Sequence, residues 1–252
     1  MNKLPQITLA FWIMKICATT LGETAGDLLS MTLDVGYAVS SIILISFFAI
    51  SLFGQVVSDR YKPALYWSVI LTTSTAGTTM SDFMDRSLGL GYAAGSALLI
   101  SILVTTFFMW NRSEKSLSVH RITSTKGELF YWFAILFSNT LGTALGDFLA
   151  DDSGLGFAGG ALLIGGSIAV VVLLHYTTRI SSVLLFWLAF VLTRPFGATL
   201  GDVLTKPSAK GGLDFGTVGS SIVLLCILLA LVAIATYYTR KPKENATEAF
   251  RI

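Results

Sequence analysis

An aromatic–Trp pair followed fifteen residues later by an aspartate occurs four times in this chain. The pairs are Phe11-Trp12, Tyr66-Trp67, Tyr131-Trp132 and Phe186-Trp187, and the aspartates are Asp27, Asp82, Asp147 and Asp202. Successive tryptophans lie 55, 65 and 55 residues apart. A glycine follows nine residues after the first three aspartates, at Gly36, Gly91 and Gly156. In the fourth copy the matching glycine, Gly216, is displaced by a five-residue insertion within "TKPSAKGGLD". Spacing held this closely means that one supersecondary unit is used four times, so the fold has to be an arrangement of equivalent units.

Each unit contains two apolar runs of membrane-spanning length. The chain is 54% hydrophobic and 13% charged, where a soluble domain carries about 25% charge. The expected fold class is therefore an all-α polytopic membrane protein with eight transmembrane helices, over 9–30, 35–57, 63–85, 91–110, 128–150, 155–176, 182–204 and 215–238. These form four repeats, 9–57, 63–110, 128–176 and 182–238, with a loop over 111–127 and a tail over 239–252. Two helices return the chain to its starting side, so the repeats are parallel rather than inverted. The first apolar run matches the later ones and is expected to be retained rather than cleaved.

Positive charge sets the orientation. The termini and between-unit loops carry Lys3, Arg60, Lys62, Arg112, Lys115, Arg121, Lys126, Arg179, Arg240, Lys241, Lys243 and Arg251, against Arg86, Lys206 and Lys210 within units. Both termini are expected in the cytoplasm, with the tryptophans anchored at the cytoplasmic interface. The aspartates then lie roughly 22 Å further along their helices, in the outer third of a hydrocarbon core about 30 Å thick. A net charge of +2 gives no sign of a nucleic-acid partner. Cys17 and Cys226 each sit in an apolar run and read as packing residues.

Small residues four apart precede each aspartate: Gly22/Gly26, Gly77/Ser81, Gly142/Gly146 and Gly197/Gly201. Further pairs open the second helices at Gly36/Ser40, Gly91/Gly95, Gly156/Gly160 and Gly216/Ser220. Both sets read as close helix contacts. On the helical wheel, positions four and seven before each aspartate share its face. They hold Glu23 and Thr20, Thr78 and Thr75, Thr143 and Thr140, then Ala198 and Pro195. Such polar stripes are too costly to face lipid and should face one another or a wet cavity.

The fourth unit departs from the pattern, with Arg194 and Pro195 where the others carry Thr19, Ser74 or Asn139 followed by threonine. Pro195 should kink or loosen its helix. Arg194 should neutralise an acidic neighbour, Glu23 or one of the aspartates, and Lys15 is expected to snorkel to the interface. Glu23 and four aspartates against Arg194 alone leave four excess negative charges. An excess of that size calls for protons or a bound cation.

Carboxylates and hydroxyls are hard ligands suited to Mn²⁺, Mg²⁺ or Ca²⁺. His120 and His175 fall far along the chain from this layer and read as interfacial residues. The local sequences TAGD, TMSD, TALGD and ATLGD do not fit the GxGD of aspartyl intramembrane proteases. No nucleophile elbow, HExxH or P-loop occurs either, so an enzyme is not expected.

The four aromatic–Trp units, each with two spans and a Gly-xxxx-Asp, resemble a bacterial membrane-protein family of unknown function. That family is built from four tandem two-helix repeats, each with a characteristic tryptophan. The resemblance covers residues 11 to about 238 and implies an integral protein of a bacterial inner membrane, with no substrate attached.

The residues themselves point to a secondary transporter exchanging a divalent, Mn²⁺-like cation for protons. Asp27, Asp82, Asp147, Asp202 and Glu23 would be its ligands, Thr20, Thr75, Thr78, Thr140 and Thr143 its pathway lining, and Arg194 its charge balance. No covalent cofactor is expected. The partners are the bilayer, the cation and protons, with a homo-oligomer left open. Two alternatives stand beside it: a proton-coupled exporter of organic cations, which needs a roomy aromatic-lined cavity, and a scaffold or sensor.

Overall fold

A computed structural model describes residues 3–208 and 211–240, and every regular element among them is helical. The eight long helices are α1 (Leu9–Asp27), α2 (Tyr37–Val57), α3 (Pro63–Asp82), α4 (Tyr92–Glu114), α5 (Thr125–Asp147), α6 (Gly156–Thr177), α7 (Ser182–Thr205) and α8 (Thr217–Arg240). Lys210, Lys241, Lys243 and Arg251, used above to orient the chain, lie outside the described residues, as does the tail beyond Arg240. In the first three units the aspartate is the last α-helical residue, and one π-helical turn follows it, at Leu28–Thr32, Phe83–Ser87 and Phe148–Asp152. The fourth unit lacks that turn. There α7 runs as one helix through Pro195 to Thr205, and the inserted loop follows.

The odd-numbered helices form a closed ring in which α1 packs on α3, α3 on α5, α5 on α7, and α7 back on α1. The even-numbered helices lie outside, each against the odd helix of the next unit: α2 on α3, α4 on α5, α6 on α7 and α8 on α1. Glycine closes the ring. The glycine five residues before each aspartate faces the residue eight before the aspartate on the following ring helix. A Cβ at Gly22 would strike Ser74, one at Gly77 the Asn139–Thr140 backbone, one at Gly142 Arg194, and one at Gly197 Thr19. One contact repeated around four helices needs all four to run the same way, which makes the units parallel. Backbones this close maximise van der Waals contact, the main source of helix association where lipid removes the hydrophobic drive.

The glycines that open the second helices have another role. Gly36, Gly91, Gly156 and Gly216 hold φ between 67° and 78°, and a Cβ at any of them would meet nothing within 4 Å. They are turn residues that admit left-handed backbone. Helix packing on these outer helices is left to partners such as Gly95, against Asp85, and Gly160, where an added Cβ would lie 3.4 Å from Thr199.

Six helices, all but α1 and α3, are long and apolar enough to cross a membrane. The outer four expose broad apolar faces, as at Ile42, Phe53, Leu162 and Val223. Both α1 and α3 belong to the ring, where Lys15, Glu23 and a run of threonines and serines on α3 are buried among helices. Their low apolar content follows from that position.

Two expectations are corrected here. The tryptophans are held by protein rather than presented to lipid: Trp67, Trp132 and Trp187 are buried among helices, with Trp187 Nε1 donating to the Leu117 carbonyl at 3.0 Å, and Trp12 is half-buried beside a side cavity. Lys15 does not snorkel; its side chain is wholly buried.

The ring contact yields a prediction. Gly77→Ala should cost about 1–3 kcal/mol, because the added carbon meets backbone that has no room to yield. Gly166→Ala, where a Cβ meets nothing, should be neutral. Thermal unfolding of the two variants in detergent checks both.

Candidate functional site

Parallel ring helices with one register stack equivalent positions in layers, and four residues at 1.5 Å rise separate one layer from the next by about 6 Å. At the tryptophan end the layer is aromatic. Phe11 and Phe190 lie 6.5 Å apart, Phe11 and Trp67 5.7 Å, Tyr66 and Trp132 5.5 Å, and Tyr131 and Trp187 6.1 Å. The Tyr66 and Tyr131 hydroxyls bond at 2.7 Å. These rings pack against one another from all four ring helices.

Above them lies a polar layer. Asn139 Nδ2 donates to Thr73 Oγ1 at 2.9 Å, and Lys15 Nζ donates to Asn139 Oδ1 at 3.4 Å.

Arg194, at the position equivalent to Asn139, extends its guanidinium into the next layer, where it is fully buried and touches all three other ring helices. Its Nη1 donates to Glu23 Oε2 on α1 at 2.9 Å. Its Nη2 donates to Thr78 Oγ1 on α3 at 2.6 Å, to Thr143 Oγ1 on α5 at 2.8 Å and to the Ser74 carbonyl at 3.3 Å. Thr78 and Thr143 in turn donate to Glu23 Oε2 at 3.2 and 3.1 Å. A group that reaches all the neighbouring helices lies on the axis of the ring. Glu23 is thus the acid that Arg194 neutralises, one of the choices read from the sequence.

One turn further on are the aspartates, each between 1% and 5% exposed. They are joined in two pairs by basic residues absent from the sequence-based site. Arg86 places Nε 2.9 Å from Asp82 and Nη2 3.0 Å from Asp147. Lys206 places Nζ 2.8 Å from Asp27 and 3.2 Å from Asp202. The four aspartates therefore share one end of the ring but do not form one four-fold cluster. Within the layer Glu23, Asp147 and Asp202 each bring a carboxylate oxygen within 4.8 Å of the others. Asp202 Oδ2 is buried without a hydrogen-bond partner. Asp85 turns instead to α4, packing on Gly95 and accepting from Ser81 at 3.2 Å.

The threonines divide. Thr78 and Thr143 join the axial network, whereas Thr20, Thr75 and Thr140 donate to carbonyls of their own helices, at Ile16, Leu71 and Leu136. The charge balance also changes. Counting Arg86 and Lys206 with Arg194, three cations face Glu23 and the four aspartates, so the excess is two negative charges rather than four. Both cations were visible in the sequence. Each stands four residues after an aspartate, the spacing of a helical ion pair, and only in units two and four.

The architecture is thus a ring of four tandem two-helix repeats with membrane-length outer helices and a charged axis. A family model for a repeat of unknown function, DUF347, matches residues 10–61, 65–116, 130–181 and 185–241. The chain belongs to that family, and each match covers one unit. No curated protein and no solved structure matches the chain.

Removing the arginine tests the axial network. Arg194→Met should cost about 3–5 kcal/mol, since it leaves Glu23 buried and unpaired. Adding Glu23→Gln to that variant should recover at least half of the loss, read as melting temperature in detergent. A double variant no better than the single one would mean that the pair does not hold the ring.

Proposed function

We propose that the protein is an eight-span membrane transporter that exchanges a hard divalent cation, Mn²⁺-like in its ligand preference, for protons. Its place would be a bacterial inner membrane with both termini in the cytoplasm. The observation that carries this reading is the meeting of Glu23, Asp147 and Asp202 within 4.8 Å, in a layer two charges short of neutral. Oxygen ligands at about 2.0–2.6 Å from an ion lie at most about 4–5 Å from one another. Two excess charges correspond to one divalent ion or two protons, so exchanging one for the other leaves the layer neutral. An uncompensated buried pair of carboxylate charges is too costly to persist.

The position of the basic residues suggests how cation binding would reach the rest of the chain. Units one and two form one half, and units three and four the other. Arg86 joins Asp82 of the first half to Asp147 of the second, and Lys206 joins Asp202 to Asp27 across the opposite seam. The Arg194–Glu23 and Tyr66–Tyr131 contacts also cross between halves. A cation drawing on Asp147 and Asp202 would compete with Arg86 and Lys206, loosening both seams on one side of the ring. Rocking of the two halves, as in parallel-repeat transporters, would then expose the layer to one side or the other.

Export of organic cations is less well supported: the cavity of about 570 Å³ lined by Trp12, Phe186 and Tyr176 lies beside the ring, and its lining includes no carboxylate.

The test is flux into proteoliposomes with Mn²⁺, Mg²⁺, Ca²⁺ and H⁺ measured in parallel. The control variant is Asp147→Asn/Asp202→Asn, which leaves Arg86 with Asp82 and Lys206 with Asp27. Saturable uptake of one divalent ion with proton counterflow is expected, reduced at least about tenfold in the variant, the scale of a lost metal contact. No flux of any ion from correctly inserted protein would overturn the reading.

A further inference from the structure

Lys15 has no place in the chemistry described so far. Its side chain is wholly buried, and among the described residues no carboxylate lies within ion-pairing distance of it. Its polar contact is Asn139 Oδ1 at 3.4 Å, and its Nζ stands 4.3 Å over the ring of Phe190. The charged group near enough to act on it is another cation, Arg194. Packing does not require a lysine here, since the equivalent position of the other three units, twelve residues before the aspartate, holds Ile70, Ile135 and Phe190.

The surroundings of Lys15 are otherwise free of compensating charge. On α3 the nearby polar group is Thr73, bound to Asn139. On α5 it is Asn139 itself, and on α7 Arg194 stands one layer above Phe190. The helix α8, which also packs on α1, brings Leu224, whose carbonyl faces Cys17 at 3.5 Å. On α1 the nearest acid is Glu23, two turns away and already bound to Arg194. Below, Tyr66 and Tyr131 bond each other.

A side cavity of about 570 Å³ lies against α1, α6 and α7 and is lined by Ile16, next to Lys15, and by Thr193, next to Arg194. His120 and His175, which read as plain interfacial residues in the sequence, also line it. Ile16 and Thr193 put that cavity on the outer side of the α1–α7 contact, with Lys15 on the inner side.

We propose that Lys15 is a proton-binding site on the axis, which takes up and releases a proton in step with the charge of the Arg194–Glu23 layer above it. With Glu23 ionised, Arg194 is neutralised and opposes a proton on Lys15 weakly. When a cation or a proton occupies the carboxylates, Arg194 is left uncompensated and repels the Lys15 proton, which leaves through the side cavity. The coupling is Coulombic, between groups a layer or two apart where little water screens them. The timing rests on the transport reading, whereas the proton site rests on the burial and contacts of Lys15 alone.

The test is nuclear magnetic resonance of ¹⁵N-lysine-labelled protein in nanodiscs, with the Lys15 signal assigned by its loss in Lys15→Met. Lys15→Gln, which keeps a hydrogen bond to Asn139, serves the same assignment should the first variant not fold. The Lys15 amine is expected to change protonation as pH is moved through the neutral range, and the midpoint is expected to move when Mn²⁺ is added. In proteoliposomes the Lys15→Met protein should still bind Mn²⁺ but lose the part of the pH dependence of its flux that follows the Lys15 midpoint.

An ammonium signal unchanged over that range, with or without Mn²⁺, would overturn the proposal. A titrating Lys15 in a protein that carries no cation would keep the proton site and remove the transport reading instead. Cation flux beside a Lys15 that never titrates would do the reverse.

Discussion

The ion pair between Arg194 and Glu23 is the constraint around which the rest of the axis is arranged. A buried guanidinium is tolerable only when paired and hydrogen-bonded, and here the partners come from every other ring helix: Glu23 from α1, Thr78 and Ser74 from α3, and Thr143 from α5. That arrangement places the three partner positions within reach of one point. It needs ring helices close enough for side chains as short as threonine to meet at the centre. The glycines at each ring contact supply that closeness, since a Cβ at Gly142 would run into Arg194 itself. One charge pair and four small residues therefore depend on each other.

The four-fold plan is then broken in a regular way. Basic residues follow the aspartate by four positions in units two and four only, and each joins carboxylates across a seam between the two halves. The fourth unit alone supplies the axial arginine, and the first alone supplies Glu23 and Lys15. Repetition accounts for the ring and its four aspartates, and divergence between the units accounts for the other charges within it. A symmetric set of four aspartates with no cation among them would carry more negative charge than a buried layer can hold.

Much of this was legible in the sequence. The repeat fixed the number and parallel sense of the helices, and the wheel placed Glu23, Thr78 and Thr143 on the face that meets the axis. The glycines before each aspartate also behave as the small-residue spacing implied. Two things were not legible. The wheel puts position seven beside the aspartate, and it does not show that the hydroxyls of Thr20, Thr75 and Thr140 donate to carbonyls of their own helices. The placing of tryptophan depends on whether the ring closes tightly enough to enclose it, which no single helix reveals. Arg86 and Lys206 were readable in principle from their i,i+4 spacing, but their second partners lie on other helices and are found only once the ring is assembled.

The most direct measurement is of protons released when Mn²⁺ is added to the purified protein in weakly buffered detergent solution. Five carboxylates face three cations in the layer, so under the proposed exchange each bound ion should release about two protons from the carboxylates, and one more where Lys15 gives up its own. Stoichiometric Mn²⁺ binding without proton release would contradict the claim that the buried carboxylates exchange protons for a divalent cation.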